Sequence, residues 1–349
     1  MPISSLQEFF VQCHLTERCN LSCTHCYQTG GRTDELSLNE IRALLAEIAD
    51  MLRAWTIAYE LEFSASLNVT GGEPLLRRDL FEIIGEMAAG GFAVYLLTNG
   101  TLVDKDKAAQ LAALGVKGVQ VSIEGPEDIH DSIRGKGSFA AACRGISHLV
   151  AAGNKVTMNA TLSEMNAGKV REMVELCASL GAQRFGFSRL VPSGRGAGLA
   201  DRMIEPERLR EIYEAVFALP AAGVEIVTGD PVASQMRTGG GTDDCGTVAT
   251  GGCAAAISGL TILPDGTVVP CRRLPIPLGN VRQDSLREIW ADSPILEQLR
   301  DRDRYAGSCG TCRRWAHCRG CRAIAYAGSL ARGEADLLAD DPQCFNHFL

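Results

Sequence analysis

The sequence has no surplus of positive charge. Lys and Arg total 34 against 42 Asp and Glu, a formal net charge of −8. A nucleic-acid-binding chain normally carries the opposite, basic footprint. Long apolar runs are also missing, which excludes a membrane-spanning helix. The stretch Met1 to Phe10 lacks the basic head and apolar core of a secretory signal. The expected compartment is therefore the cytoplasm. No fixed-period repeat and no low-complexity tract is present. Charged residues make up 22% and hydrophobic residues 46%, which excludes a largely disordered chain and can fill a sizeable core. At 349 residues the length suits one barrel plus an appendage.

Cysteine is plentiful instead. Fourteen are present, too many for a reducing compartment unless they serve metal or catalysis. Cys13, Cys19, Cys23 and Cys26 crowd the start, and Cys245, Cys253, Cys271, Cys309, Cys312, Cys318, Cys321 and Cys344 crowd the end. Cys143 and Cys177 lie between on expected helices and read as buried hydrophobes, as does Cys13 on a strand.

Between the clusters strands and helices alternate. Strands are expected at Phe9 to Thr16, Ser66 to Thr70, Ala93 to Thr98, Gly118 to Ile123, Lys155 to Thr161 and Arg184 to Leu190. Helices are expected at Ser37 to Leu52, Arg77 to Ala89, Asp104 to Leu114, Ser138 to Ala152 and Asn166 to Leu180. The first opens on Ser37 with Glu40 three residues on, a capping-box signature. Repeated strand–helix units imply a parallel sheet, either doubly wound or a partial barrel. Both bind ligands at the carboxyl ends of their strands. Cys19, Gly71, Asn99, Glu124, Asn159 and Leu190 fall there. Beyond Val191 the expectation is a Gly-rich loop, a helix over Glu205 to Leu219, a hairpin around Pro264-Asp265-Gly266, and short helices at Ser285 to Trp290 and Ile295 to Arg300. Arg53 to Phe63, with Trp55 and Tyr59, either lines the mouth of the sheet or extends the first helix with its aromatics inward.

Cys19-Asn-Leu-Ser-Cys23-Thr-His-Cys26 puts three thiolates in eight residues. Structural zinc and closed [4Fe–4S] clusters want four ligands. A cubane held by three keeps one iron open. A zinc site completed by His14 or His25 is the alternative.

CxxxCxxC followed by aromatic Tyr27, with Gly71-Gly72-Glu73-Pro74 after the second strand, resembles the radical S-adenosylmethionine superfamily. That resemblance implies a partial (β/α)6 barrel whose open iron chelates S-adenosylmethionine. One electron then cleaves the sulfonium, and the 5′-deoxyadenosyl radical takes a hydrogen atom from substrate. The backbone around Gly72 and Glu73 would accept hydrogen bonds from the methionyl ammonium. Ser122-Ile123-Glu124-Gly125 resembles the family's SLDG segment with Glu for Asp. Ser122, Arg134 and Asn159 would then be polar cofactor contacts, and Leu190 would lie near adenine. Strand-end capping or surface ion pairing is the plainer alternative for each.

The late cysteines run Cys253-x12-Gly266-x4-Cys271, then Cys309-x2-Cys312-x5-Cys318-x2-Cys321, then Cys344. This resembles the SPASM extension of the same superfamily, whose usual form has one residue more between the Cys318 and Cys321 positions. The resemblance implies two closed [4Fe–4S] clusters, three in all. Cys245, Cys253, Cys271 and Cys321 would hold the first, and Cys309, Cys312, Cys318 and Cys344 the second. A pair of zinc ribbons is the competing reading. The implied domains are a radical core over residues 1–200, a bridging region over 201–244 and the auxiliary-cluster domain over 245–349.

SPASM enzymes mostly modify peptides, so a peptide crosslink or epimerisation is the expected reaction, on a short ribosomal peptide. An external flavodoxin- or ferredoxin-like donor would supply electrons. Only eighteen residues precede Cys19, so leader recognition would come from a separate protein or the barrel mouth. Radical chemistry in cofactor or small-molecule synthesis is the second reading. A sulfatase-type formylglycine maturase is disfavoured, because Arg272-Arg273 follows Cys271 where that reaction has an Asp, and Arg cannot act as a base. These arginines would instead hold a substrate carboxylate. An electron carrier without chemistry of its own has no need of the Gly-Gly-Glu-Pro edge.

Overall fold

The computed structural model describes residues 7–29, 34–219, 223–236 and 248–346. Six strands lead the chain: β1 (Gln7–His14), β2 (Phe63–Thr70), β3 (Ala93–Thr98), β4 (Gly118–Ser122), β5 (Val156–Leu162) and β6 (Arg184–Arg189). The helices between them are α1 (Leu38–Tyr59), α2 (Leu80–Ala89), α3 (Lys105–Ala113), α4 (Glu127–Arg134), α5 (Ser138–Ala151) and α6 (Val170–Ser179). After α7 (Pro206–Phe217) comes β7 (Glu225–Thr228), and β8 (Gly259–Ile262), β9 (Thr267–Val269) and β10 (Gly279–Asn280) follow. The chain then runs through α8 (Leu286–Asp292), α9 (Pro294–Arg300), α10 (Gly307–Thr311) and α11 (Arg322–Ala331).

One sheet takes all the strands, in the order β10-β9-β8-β1-β2-β3-β4-β5-β6-β7. Pairing is parallel from β8 through β7. This is the open parallel sheet of a partial barrel, with crossover helices packed on it. It is wider than the six expected strands. The expected hairpin exists as β8 and β9, but β8 also pairs in parallel with β1, Phe10 opposite Gly259. A Cβ on Gly259 would sit 2.1 Å from the Phe10 carbonyl oxygen, so only glycine lets the late segment lie against β1.

Helix α1 begins at the expected capping box, with the Glu40 amide donating to Ser37 Oγ and the Ser37 amide to the Glu40 carboxylate at 2.7 Å. Its buried face is Ile41, Leu44, Leu45 and Ile48, the helical i, i+3, i+4, i+7 spacing. These meet Val11, Leu67, Val69 and Leu96 of the sheet in the main core. Fully burying one such side chain contributes about 1.5–3 kcal/mol. The helix continues to Tyr59, and Trp55 packs edge-on against Phe9 at 5.2 Å. Phe9 and Phe63 lie at the amino-terminal part of their strands. Trp55 and Phe63 therefore extend the core at that end, while Tyr59 is exposed, so the expectation of inward aromatics holds for Trp55 and not for Tyr59. A second core gathers Leu274, Leu296, Leu299, Trp315 and Ile324 from the late segment. Among the described residues no helix is long and apolar enough to cross a membrane.

Candidate active site and cysteine centres

The carboxyl ends of the strands surround an open cavity of about 990 Å³, solvent at its mouth included. Cys19, Cys23, Cys26 and Tyr27 form one wall, with Gly71, Gly72, Asn99, Ser122, Arg134 and Asn159 around them. Arg272 and Arg273 close the side toward the late segment. Ten residues singled out in the sequence, from five separate stretches of the chain, thus meet where the strand pattern puts a ligand.

The two glycines act on the cysteine loop. A Cβ on Gly72 would lie 2.3 Å from the Arg18 carbonyl oxygen, and one on Gly71 2.4 Å from that of Thr16. Their absence lets the Gly72 amide donate to Thr16 O at 2.7 Å and the Glu73 amide to Arg18 O at 2.8 Å. The turn therefore holds the stem of the cysteine loop. The Glu73 side chain is fully buried. Its carboxylate accepts from Thr98 Oγ1 at 2.7 Å, the Asn99 amide at 2.8 Å and the Leu75 amide at 3.1 Å. Burial pushes its pKa up, against the pull of those donors. Glu73 clamps the end of β2 to the end of β3, a role its motif position alone does not reveal.

Glu124 follows the end of β4 as expected, but its contacts are not legible from the sequence. It is fully buried. Oε1 accepts from Arg134 Nε at 2.9 Å and from His25 Nε2 at 3.1 Å, and Oε2 from the Thr161 amide at 2.7 Å. Burial opposes its charge, but Arg134 and His25 outweigh burial and hold it well below the usual carboxylate range. Arg134 Nη1 also lies 3.9 Å from Cys23 Sγ. Burial raises the Cys23 thiol, and Arg134 is the main influence drawing it back. Burial raises Cys19 as well, and Asn99 Nδ2 lies 4.0 Å from its sulfur. A thiolate is the form that ligates metal.

The remaining expected contacts divide. Tyr27, Ser122 and Asn159 line the cavity. Tyr27 sits under the Arg272 guanidinium at 5.8 Å and beside His14 Nε2 at 3.4 Å. Burial, helped by Arg272, pushes His14 down to about 3, so its ring is neutral. Leu190 is buried with its amide bonded to Leu162 O, and its neighbour Val191 faces the cavity instead.

The late cysteines form two groups. Cys253, Cys271 and Cys321 line a second cavity of about 570 Å³, beside Gln12 and Arg273. Cys245 lies outside the described residues. Gln235 Nε2 bridges the other group, 3.6 Å from Cys318 Sγ and 3.5 Å from Cys344 Sγ. Asn346 Nδ2 and the Arg314 amide both donate to Cys312 Sγ, at 3.6 and 3.4 Å. The Cys309 amide is fixed on Asp340 Oδ1 at 2.9 Å. Donors converging on unpaired buried sulfurs suit anionic thiolate ligands of an iron–sulfur cluster. Burial raises the thiols of Cys318 and Cys344, and pushes those of Cys321 and Cys309 up to about 12, so a cluster must supply the charge that ionises them. The cysteines outside both groups stay apart, Cys13 and Cys177 buried and Cys143 half-buried.

Comparison with known proteins agrees with this geometry. Residues 14–177 match the Radical SAM superfamily, and residues 253–321 match the SPASM iron–sulfur cluster-binding domain. The chain is 31% identical to the AdoMet-dependent heme synthase of Nitratidesulfovibrio vulgaris, over 95% of this chain and 90% of that protein. It is also 31% identical to the mycofactocin maturase MftC of Mycobacterium ulcerans, over 95% of this chain and 86% of that one. Streptococcus suis SuiB bound to its precursor peptide SuiA shares the fold, with TM-score 0.74 at 17% identity, covering 97% of this chain and 76% of SuiB. So does anSMEcpe with bound AdoMet, with TM-score 0.73 at 17% identity, over 97% and 94% of the two chains. The fold and its cysteine centres define an iron–sulfur enzyme. The chain belongs to the radical SAM superfamily, with a SPASM domain after its barrel.

Proposed function

We propose that this enzyme oxidises or crosslinks a peptide that presents a carboxylate to the cavity. The observation that carries this reading is the position of Arg272 and Arg273. Both follow Cys271, and both line the cavity that holds Cys19, Cys23 and Cys26. The Arg272 guanidinium at that wall fits a carboxylate by paired hydrogen bonds, whereas Arg273 donates Nη1 to the Arg189 carbonyl at 3.1 Å and adds positive charge. The likeness to MftC over nearly the whole chain supports a peptide substrate.

Cys19, Cys23 and Cys26 hold a [4Fe–4S] cluster with one open iron, where S-adenosylmethionine binds. That pair supplies one-electron cleavage of the sulfonium and removal of a hydrogen atom from substrate. The protein contributes position and shielding. The backbone around Gly72 and Glu73 takes the methionyl ammonium, with Gly71 allowing the close approach. Tyr27, Ser122 and Asn159 offer polar contacts, and Val191 rather than Leu190 offers the apolar one. Arg134 holds the cysteine loop through Glu124 and adds positive charge beside Cys23. Cys245, Cys253, Cys271 and Cys321 hold one auxiliary cluster, and Cys309, Cys312, Cys318 and Cys344 the other. An external flavodoxin- or ferredoxin-like protein delivers electrons. Residues 1–200, 201–244 and 245–349 serve as core, bridge and auxiliary-cluster domain.

The heme synthase relatives favour a second reading, a tetrapyrrole whose propionates meet the same arginines. Co-expression without oxygen separates the two. A short peptide encoded beside the gene should lose about two mass units if it is oxidised or crosslinked. An unchanged peptide, with S-adenosylmethionine still cleaved and a porphyrin precursor decarboxylated, would establish the second reading instead.

A further inference from the structure

Two buried hydrogen-bond donors at the Cys253, Cys271 and Cys321 cavity have no partner. Gln12 is buried on β1, and its Nε2 is unbonded among the described residues. Arg273 is half-buried, and its Nε is buried and likewise unbonded. Both side chains line this cavity. Unpaired buried donors are costly and rarely kept without a ligand to receive them. The opposite cysteine group shows what such a donor does in this chain, where the Gln235 amide reaches the sulfurs of Cys318 and Cys344. Arg273 carries a fixed positive charge close to Cys321 and Cys271, as the buried Arg322 does close to Cys309.

We infer that Gln12 and Arg273 donate to the auxiliary cluster held by Cys253, Cys271 and Cys321 and raise its reduction potential. Hydrogen bonds and positive charge stabilise the reduced, more negative state of a cluster. Arg273 borders this cavity and the substrate cavity alike. The tuned cluster is therefore the one placed to take an electron from substrate. The balance is simple. Substrate gives one hydrogen atom to the cleaved adenosyl group, one electron to this cluster and one proton to solvent. It loses two electrons in all, and an external one-electron carrier reoxidises the cluster. Gln12 and Arg273 are positioning residues in this scheme. It rests on the cluster assignment proposed above.

The test uses the full chain with Cys19, Cys23 and Cys26 replaced by Ala, so that only auxiliary clusters remain. Iron is counted, and both midpoint potentials are read by spin-resonance titration. Gln12→Leu and Arg273→Met should each lower one potential by at least a tenfold change in the one-electron equilibrium, about 59 mV. The other potential should stay fixed. Arg273→Lys keeps the charge and should shift it less. Unchanged potentials, or equal shifts of both clusters, overturn the inference while leaving the cluster assignment intact. A parent protein with iron for only one auxiliary cluster overturns the inference and the assignment together.

Discussion

Arg134 joins the Glu124 carboxylate to the Cys23 sulfur, with Nε 2.9 Å from Oε1 and Nη1 3.9 Å from Sγ. The end of β4 and the cysteine loop thus share one guanidinium. Glu124→Ala leaves Arg134 buried without its carboxylate, and breaking such a pair costs about 3–5 kcal/mol. Denaturant unfolding of the variant should show that loss. Glu124→Gln keeps an oxygen for the Thr161 amide and should lose less. Equal stability of both variants with the parent would contradict the role of the pair.

Gly72 tests the loop stem directly. A methyl group at Gly72 meets the Arg18 and Glu17 carbonyls at 2.3 and 2.6 Å. These are backbone atoms, so the loop itself must move. Gly72→Ala should fold, yet reconstitute with less iron, with the loss confined to the cluster that binds S-adenosylmethionine. Full iron content and normal cofactor affinity by calorimetry would refute this.

Glu73 has a structural duty as well as its place in the Gly-Gly-Glu-Pro turn. Three donors lose their acceptor in Glu73→Ala, and each unsatisfied buried donor costs about 1–3 kcal/mol. The variant should unfold at lower denaturant and bind S-adenosylmethionine weakly. A variant as stable as the parent but unable to bind cofactor would place Glu73 in direct contact with the ligand instead.

Burial, with help from Arg134, lowers the pKa of His130 from its ordinary 6.5 to about 4. Its Nδ1 accepts from the Glu124 amide at 3.1 Å, which needs the neutral ring. Between these two values the unfolded chain binds a proton that the folded chain does not. Stability is therefore complete above about pH 6.5 and falls as pH drops toward 4, by on the order of 3 kcal/mol. His130→Gln should flatten that slope in unfolding curves taken from pH 7 to pH 4. An unchanged slope would remove His130 as its source.

Much of this was legible from spacing. β3 lies at Ala93–Thr98, as alternation and the Asn99-Gly100 stop require, and the Ser37 capping box starts α1. Local chemistry decides such features. Helix α4 at Glu127–Arg134 has no legible apolar stripe, because only His130 and Ile133 of it are buried, and in α11 at Arg322–Ala331 small residues blur the stripe. The pairing of β8 with β1 was illegible for a different reason. It joins Phe10 to Gly259, and no local pattern encodes a partner so distant in sequence. The same holds at the site. Cysteine spacing located the loops, whereas Glu124, His25 and Gln235 matter through contacts that only the folded chain creates.

Asp341 gives the clearest case of such a contact. Its carboxylate takes Arg189 Nη1 and Nη2 at 2.9 and 2.7 Å, and the Cys321 amide at 2.7 Å. Arg189 is also held by Asp230 at 2.6 Å. Both partners of the Arg189–Asp341 pair are fully buried. Arg189 ends β6 at the substrate cavity, and Asp341 stands between Cys321 and Cys344. One ion pair therefore anchors the late cysteines to the barrel. Asp341→Ala leaves Arg189 its Asp230 partner but strips the Cys321 and Gln343 amides of their acceptor, and each unsatisfied buried donor costs about 1–3 kcal/mol. The barrel core does not depend on this pair, so the loss should fall on the late segment. Iron per chain should drop through the auxiliary clusters, while the Cys19, Cys23 and Cys26 cluster still cleaves S-adenosylmethionine. Cleavage would then run uncoupled, with more cofactor consumed for each product formed. The ratio of 5′-deoxyadenosine to modified substrate reads this directly. A ratio equal to that of the parent enzyme, at reduced iron content, would mean that the auxiliary clusters take no part in turnover.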